Sequence, residues 1–303
     1  MIRLAVRVRR ADAEIVLAEL LDLAPEGVEE VELGDELVEY AVYGSPGELP
    51  ALPDLRAAAG SALVEIATSE TPGDWQERWK RFHRPVLIEA PDAASARRPP
   101  ALRVRPPWEP PSPPGDGRAE EIVIDPGQAF GTGAHATTRL CLELLLELAA
   151  MREERGPLLD IGAGSGLLAI AAARLGFSPV IALDNDRESV RASAENAALN
   201  GVSLEVAHVD VRSQGIPWLG SEGDHAAAMP TPPGPLVVVA NLLRPLLLEL
   251  AERAARAPDH LIAGGLLRAE ADEIAAAFAG RLEMHERARR ESGDWAAVWL
   301  TAG

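Results

Sequence analysis

A chain of 303 residues with 47% hydrophobic content holds more apolar material than a single small domain needs, so two domains are expected. The aromatic fraction of 4% argues against a base-stacking platform, and a formal net charge of −18 argues against direct binding to a phosphate backbone. The same charge favours a basic protein as partner.

Residues 2–8 alternate as a strand, 11–23 carry apolar positions at helical spacing, and 28–33 and 37–43 read as two more strands. With a helix near 54–60 and a strand at 62–67, they make a small α+β domain over 1–70. Residues 71–83 read as a short connecting helix. Prolines 99, 100, 106, 107, 110, 111, 113 and 114 then favour an extended linker, interrupted by a strand at 101–105, so that 71–118 joins the domains.

From 119 to 303 strands and helices alternate: strands at 158–161, 180–183, 204–208, 236–240 and 260–263, helices at 166–175, 187–200 and 244–256. That rhythm predicts a parallel sheet covered on both faces, closed by a helix at 269–279 and two antiparallel edge pieces at 281–287 and 295–301. Residues 215–235, rich in Gly and Pro, read as an inserted loop. Cys141, the only cysteine, excludes an internal disulfide and falls on an apolar helical stretch, so a buried thiol is expected. The N-terminus lacks a signal pattern and no run of about 18 apolar residues occurs, which predicts a cytoplasmic protein; a monomer without membrane contact is expected.

The chemistry concentrates at Asp160-Ile161-Gly162-Ala163-Gly164-Ser165-Gly166, a strand-to-helix turn where an open parallel sheet binds its ligand. A glycine turn is weak on its own, since dinucleotide enzymes and plain tight connections share it. Asp160 adds a carboxylate suited to the ammonium of a methionine moiety rather than to a pyrophosphate. Asp184 follows Gly162 at roughly the 20-residue interval at which an acid takes ribose hydroxyls. Together they favour an adenosyl nucleoside without phosphates. Asp184 reads alternatively as a helix cap, for which Asp186 is the better candidate. Asp210 stands where adenine is expected, or as a plain loop acid. A nicotinamide dehydrogenase would place its third glycine one position later, at Leu167.

Asp125-Pro126-Gly127-Gln128-Ala129-Phe130-Gly131-Thr132-Gly133-Ala134-His135-Ala136-Thr137-Thr138 resembles the D-P-G-x-A-F-G-T-G-x-H-x-T-T signature of the PrmA family of seven-strand methyltransferases, which modify large-subunit ribosomal protein eleven. Asp74–Trp79 with Phe82 and His83 is similar to that family's linker, and Val239-Ala240-Asn241-Leu242 to its V-A-N-I/L segment. The resemblance implies a seven-strand Rossmann-like domain preceded by a small α+β, ferredoxin-like, substrate-recognition domain. It implies S-adenosylmethionine as cofactor, bound by Thr138, Gly162, Asp184 and Asn241. Phe130, Gly131 and Thr132 are expected to cover the ligand, with Asp160, Gly164 and Asp210 completing the site and no metal. Asn241, at a strand end, is expected to orient an amine for transfer. His135 is expected to stabilise its loop rather than act as a base.

The implied activity is methylation of lysine ε-amines, and of the N-terminal α-amine, of the ribosomal protein. Alternatives are a different protein lysine, a small-molecule amine, or a docking module that has lost transfer. The long proline-rich linker, the 215–235 insert and Leu242-Leu243-Arg244-Pro245 after Asn241 depart from the family and bear on the substrate.

Overall fold

The computed structural model describes residues 2–13, 16–17, 20, 28–34, 36–44, 52–70, 84–89, 101–112, 119–126, 131, 133–151, 155–214, 216–220 and 232–303. The expected connecting helix at 71–83 lies outside these residues. By internal contact the chain divides into Met1–Phe82 and His83–Gly303.

The first unit holds an antiparallel sheet of four strands, β1 (Ile2–Arg9), β2 (Glu29–Glu32), β3 (Leu37–Gly44) and β4 (Leu63–Glu70), in the order β2-β3-β1-β4. Its core follows from period-two alternation: Leu4, Val6 and Val8 of β1 and Val38 and Tyr40 of β3 turn inward. Ala13, Val16 and Leu20, at helical spacing, pack there with Leu55 and Ala59 of helix α1 (Leu52–Ala59). Arg3 and Arg7 alternate to the other face. There Glu39, itself buried, pairs with both, and Arg7 also pairs with Glu65.

The second unit opens with a three-stranded sheet, β5 (Val86–Ile88), β6 (Ala101–Arg105) and β7 (Ala119–Val123), β6 being antiparallel to β5 and parallel to β7. The strand expected at 101–105 is present. Strand β5 lay within the stretch that proline content assigned to a linker. The described prolines nearest β6, Pro106, Pro107, Pro110 and Pro111, follow it rather than interrupt it, so its ladder survives. Leu102, Val104, Ile122 and Ile124 enter the core. Arg103 and Arg105 alternate outward onto Glu121. Partial burial pushes the Glu121 carboxyl up, but hydrogen bonds from Arg105, the Ser112 N–H and Arg103 outweigh it and hold the group at about 2.

The large sheet contains β8 (Leu158–Ile161), β9 (Val180–Asp184), β10 (Glu205–His208), β11 (Val237–Asn241), β12 (His260–Leu267), β13 (Met284–Ser292) and β14 (Trp295–Ala302), in the order β10-β9-β8-β11-β12-β14-β13. The first five neighbours run parallel; β14 is antiparallel to both β12 and β13. The expected antiparallel C-terminal pair is therefore present, with the last strand inserted between β12 and β13. Val237 and Val239 point to one core and Val238 and Ala240 to the other, which is why these strands read as unbroken apolar runs.

Helices α2 (Ala136–Met151) and α3 (Leu167–Arg174) cover one face, and α5 (Arg244–Arg253) and α6 (Ala271–Leu282) the other. Helix α2 packs on β12, β13 and β14 and also meets β5 and α3, so it is apolar nearly all round, with Cys141 fully buried as expected. Burial, reinforced by the nearby Asp160 charge, pushes the Cys141 thiol up. Helix α4 (Arg187–Leu199) starts at Asp186, whose side chain accepts from the N–H groups of Glu188 and Ser189; Asp186 is the cap. At its far end, the Asn200 side chain accepts from Val123 N–H at 2.8 Å and donates to Val123 C=O at 2.6 Å, in the manner of a neighbouring strand.

Asn200→Ala removes both partners of the Val123 peptide. Chemical denaturation is expected to show a loss of about 1–3 kcal/mol, and unchanged stability would contradict this bridge.

Candidate functional site

The sheet order reverses at β8. The chain leaves β8 toward β9 on one side and returns on the other as β11, and a crevice opens at such a point beyond the strand C-termini. The glycine turn occupies this position. Gly162, Gly164 and Gly166 have φ of +77°, +53° and +80°, a backbone region that side chains strain to enter. Space is also closed at two of them: a Cβ on Gly162 would stand 2.3 Å from Leu242 Cδ2, and one on Gly166 would stand 3.0 Å from the Ser193 backbone.

Asp184 closes β9 and holds the turn. One carboxylate oxygen accepts from Gly164 N–H at 2.9 Å and the other from Asp186 N–H at 2.9 Å. Gly162 and Ala163 donate to Leu183 C=O at 2.8 and 3.0 Å. Each Asp184 oxygen keeps acceptor capacity.

Asp160 is completely buried. Its Oδ2 accepts from Ala169 N–H, in the first turn of α3, at 3.0 Å, while Oδ1 has no partner among the described residues. Burial pushes the carboxyl up to about 7; the Ala169 hydrogen bond opposes this and the Asp184 charge adds to it. A buried acceptor without a donor is costly, which suits a cationic or N–H group entering from a ligand.

Asn241 ends β11. Its Nδ2 donates to Thr138 Oγ1 at 3.3 Å; its Oδ1 is buried and takes no hydrogen bond from the described residues. Thr138 is buried in the first turn of α2. Two glycines make room beside this pair, a feature absent from the sequence reading. A Cβ on Gly264 would lie 2.3 Å from Cys141 Sγ and 3.1 Å from Asn241 Oδ1, and one on Gly265, at φ +78°, 2.4 Å from Leu242 C=O. The Leu242 N–H donates to Gly264 C=O at 3.2 Å. Leu242 thus packs its side chain on Gly162 and its backbone on β12.

The 125–138 segment joins the site through Gly131, whose carbonyl accepts from Ser165 Oγ at 2.8 Å. Phe130 and Thr132 lie outside the described residues. His135 contacts Thr137 Oγ1 through Nδ1 at 2.8 Å and stacks edge-on against Trp295 with ring centres 5.0 Å apart. Burial first, and the Arg139 charge second, depress its pKa. Asp210 stands one residue beyond Val209, which donates to Asp184 C=O at 2.9 Å. Its carboxylate is taken up by Arg212, which lowers its pKa through a side-chain hydrogen bond. The structure therefore brings together Thr138 with Asn241, and Gly162, Gly164 and Asp184 with Asp160 beneath. Among the described residues no group of three or more His, Cys, Asp or Glu is placed to hold a metal ion, and no helix is long and apolar enough to cross a membrane.

A parallel-rich sheet whose order reverses at a glycine turn, with an acid closing the next strand, places the chain among α/β nucleotide- and nucleoside-binding enzymes and is consistent with a methyltransferase. A solved structure described as a ribosomal protein L11 methylase, from Lactobacillus delbrueckii subsp. bulgaricus, is similar to this chain at a TM-score of 0.53 and 27% identity, covering 71% of this chain and 98% of that one. The family described as "Ribosomal protein L11 methyltransferase (PrmA)" matches residues 56–302. Curated relatives bearing that name are 33% identical over 288 residues in Sorangium cellulosum, covering 90% of this chain and 81% of the relative, and 36% identical over 254 residues in Geobacter sulfurreducens, covering 82% and 73%. The chain belongs to the PrmA family.

The raised Asp160 pKa has a signed consequence. An unfolded Asp titrates near about 3.9, so the folded form with its higher pKa prefers the neutral acid: its contribution is complete below about pH 4 and is lost as pH rises toward about 7. Denaturation midpoints of the wild type measured against Asp160→Asn are expected to fall over that window. A constant difference between the two proteins would contradict the burial.

Proposed function

We propose that this chain transfers methyl groups from S-adenosylmethionine to lysine ε-amines, and to the N-terminal α-amine, of ribosomal protein L11. The observation that carries the reading is the buried, unsatisfied carbonyl of Asn241, fixed by Thr138 at the C-terminal end of β11. It is a single preset acceptor for an incoming N–H.

S-adenosylmethionine supplies an electrophilic methyl group on a sulfonium. Its binding falls to Gly162, Gly164 and Asp184, with Thr138 and Asn241 on the methionine side, Gly131 covering the ligand and Asp210 toward adenine. The free acceptor capacity of Asp184 suits ribose hydroxyls, and the partnerless Asp160 Oδ1 suits an ammonium. Asn241 acts by orientation: its Oδ1 holds an amine N–H so that the nitrogen lone pair points along the line of displacement. A lysine amine titrates near about 10.4 and must arrive neutral; desolvation in the crevice lowers that value, so no dedicated base is assigned.

Within the larger unit, residues 119–303 serve as a seven-strand Rossmann-like methyltransferase domain. The antiparallel sheet of residues 1–70 serves as a ferredoxin-like recognition domain; of the stretch 71–118 expected to join the two domains, the strands at 86–88 and 101–105 belong to the larger unit. The net charge of −18 supports a basic protein substrate rather than nucleic acid. The protein works as a cytoplasmic monomer.

Labelled-methyl transfer to purified ribosomal protein L11 separates the roles. Asn241→Ala is expected to lower kcat by about 100-fold or more, because the group that orients the amine is removed. Asp184→Ala is expected to weaken S-adenosylhomocysteine binding, measured by calorimetry, by about tenfold or more, as loss of a charged hydrogen-bonding group. Parental rate in the first variant, or parental affinity in the second, would overturn the assignment.

A further inference from the structure

The inner face of α4 is polar yet buried. Ser193, Asn196 and Asn200 fall at helical spacing on one stripe, and all three are shielded from solvent. Each is spent on backbone. Ser193 Oγ donates to Gly164 C=O at 2.9 Å, Asn196 Nδ2 donates to Ser165 C=O at 2.9 Å, and Asn200 takes the Val123 peptide. Asn196 also reaches a second element: its Oδ1 accepts from Asp125 N–H at 2.9 Å. With an N–H on one side and a carbonyl on the other, the amide fits one way round only.

We propose that Asn196 is a positioning residue for methyl transfer, joining the 125–138 segment to the glycine turn so that both meet the cofactor as one unit. The proposal rests on the methyltransferase reading above. A second tie runs in parallel, since Ser165, fully buried, donates through Oγ to Gly131 C=O at 2.8 Å. The segment is thus pinned at Asp125 and Gly131 to Ser165, directly or through Asn196, and its far end delivers Thr138 to Asn241. From below, Leu183 C=O and the Asp184 carboxylate already hold the amides of residues 162–164. The carbonyls of residues 164 and 165 are held only from α4 among these contacts. Asn196 therefore acts on the turn and on the segment at once, and a shift of about 1 Å in either misplaces reacting groups.

Asn200 supplies a matched control one helical turn away, buried and bonded to backbone but touching neither the turn nor the segment. Calorimetry with S-adenosylhomocysteine and steady-state methyl transfer are to be run on the wild type, Asn196→Ala, Asn200→Ala and Ser165→Ala. Asn196→Ala is expected to weaken binding and raise the KM for S-adenosylmethionine by about tenfold, with a further fall in kcat, whereas Asn200→Ala loses comparable stability and keeps both constants within about twofold. Ser165→Ala should move the constants in the same direction as Asn196→Ala, and the double variant should fall short of the product of the two, since both ties hold one segment. An Asn196→Ala protein with the constants of Asn200→Ala would overturn the proposal. Should Asn196→Ala not fold, parental constants in Ser165→Ala would overturn it equally. A wild type that binds no S-adenosylhomocysteine would instead bring down the methyltransferase reading and this proposal with it.

Discussion

The site depends on one constraint: the chain leaving β8 must turn sharply into α3 while passing under Leu242 and against Ser193. Side chains have neither the backbone freedom nor the room to do so at Gly162 and Gly166. Once the turn is made of glycine, its peptide groups face outward and need partners. They find them in Leu183, Asp184, Ser193 and Asn196, which come from β9 and α4. The turn is therefore a junction of several elements rather than a free loop.

Two acceptors remain without donors among the described residues, Asp160 Oδ1 and Asn241 Oδ1. Both sit at C-terminal ends of adjacent parallel strands, β8 and β11, where the order of the sheet reverses. Leaving buried acceptors unpaired costs stability, of order 1–3 kcal/mol each. That cost is the expected mark of groups held ready for something other than folding. Gly264 and Gly265 show the same logic from the other side: they give up side chains so that Cys141, Asn241 and Leu242 can approach β12 closely.

Much of this was legible in the sequence where one rule governs one residue. The strand at 158–161 and the one expected at 236–240, found one residue later at Val237–Asn241, were legible because a parallel strand buried on both faces must be apolar throughout, and Asp186 was legible as a cap because its place just before the helix suits an acid. Asp160 and Asp184 stood out from the glycine turn and the interval after it, and Asn241 from the resemblance of Val239–Leu242, but their partners did not, since a hydrogen bond between residues 103 apart, such as Asn241 with Thr138, leaves no local trace. Strand β5 escaped because three residues amid prolines carry no periodic signal. Ser193, Asn196 and Asn200 escaped for the opposite reason: polar residues at helical spacing read as a solvent face, and here that face is buried against backbone.

Membership of the PrmA family and the geometry of Asn241 meet in one claim, that amines of ribosomal protein L11 receive methyl groups from this chain. The most direct check compares the intact mass and peptide map of ribosomal protein L11 from cells that contain the protein with that from cells lacking it. The account predicts whole methyl increments on lysine and N-terminal amines in the first and none in the second. Identical, unmodified protein from both would contradict it.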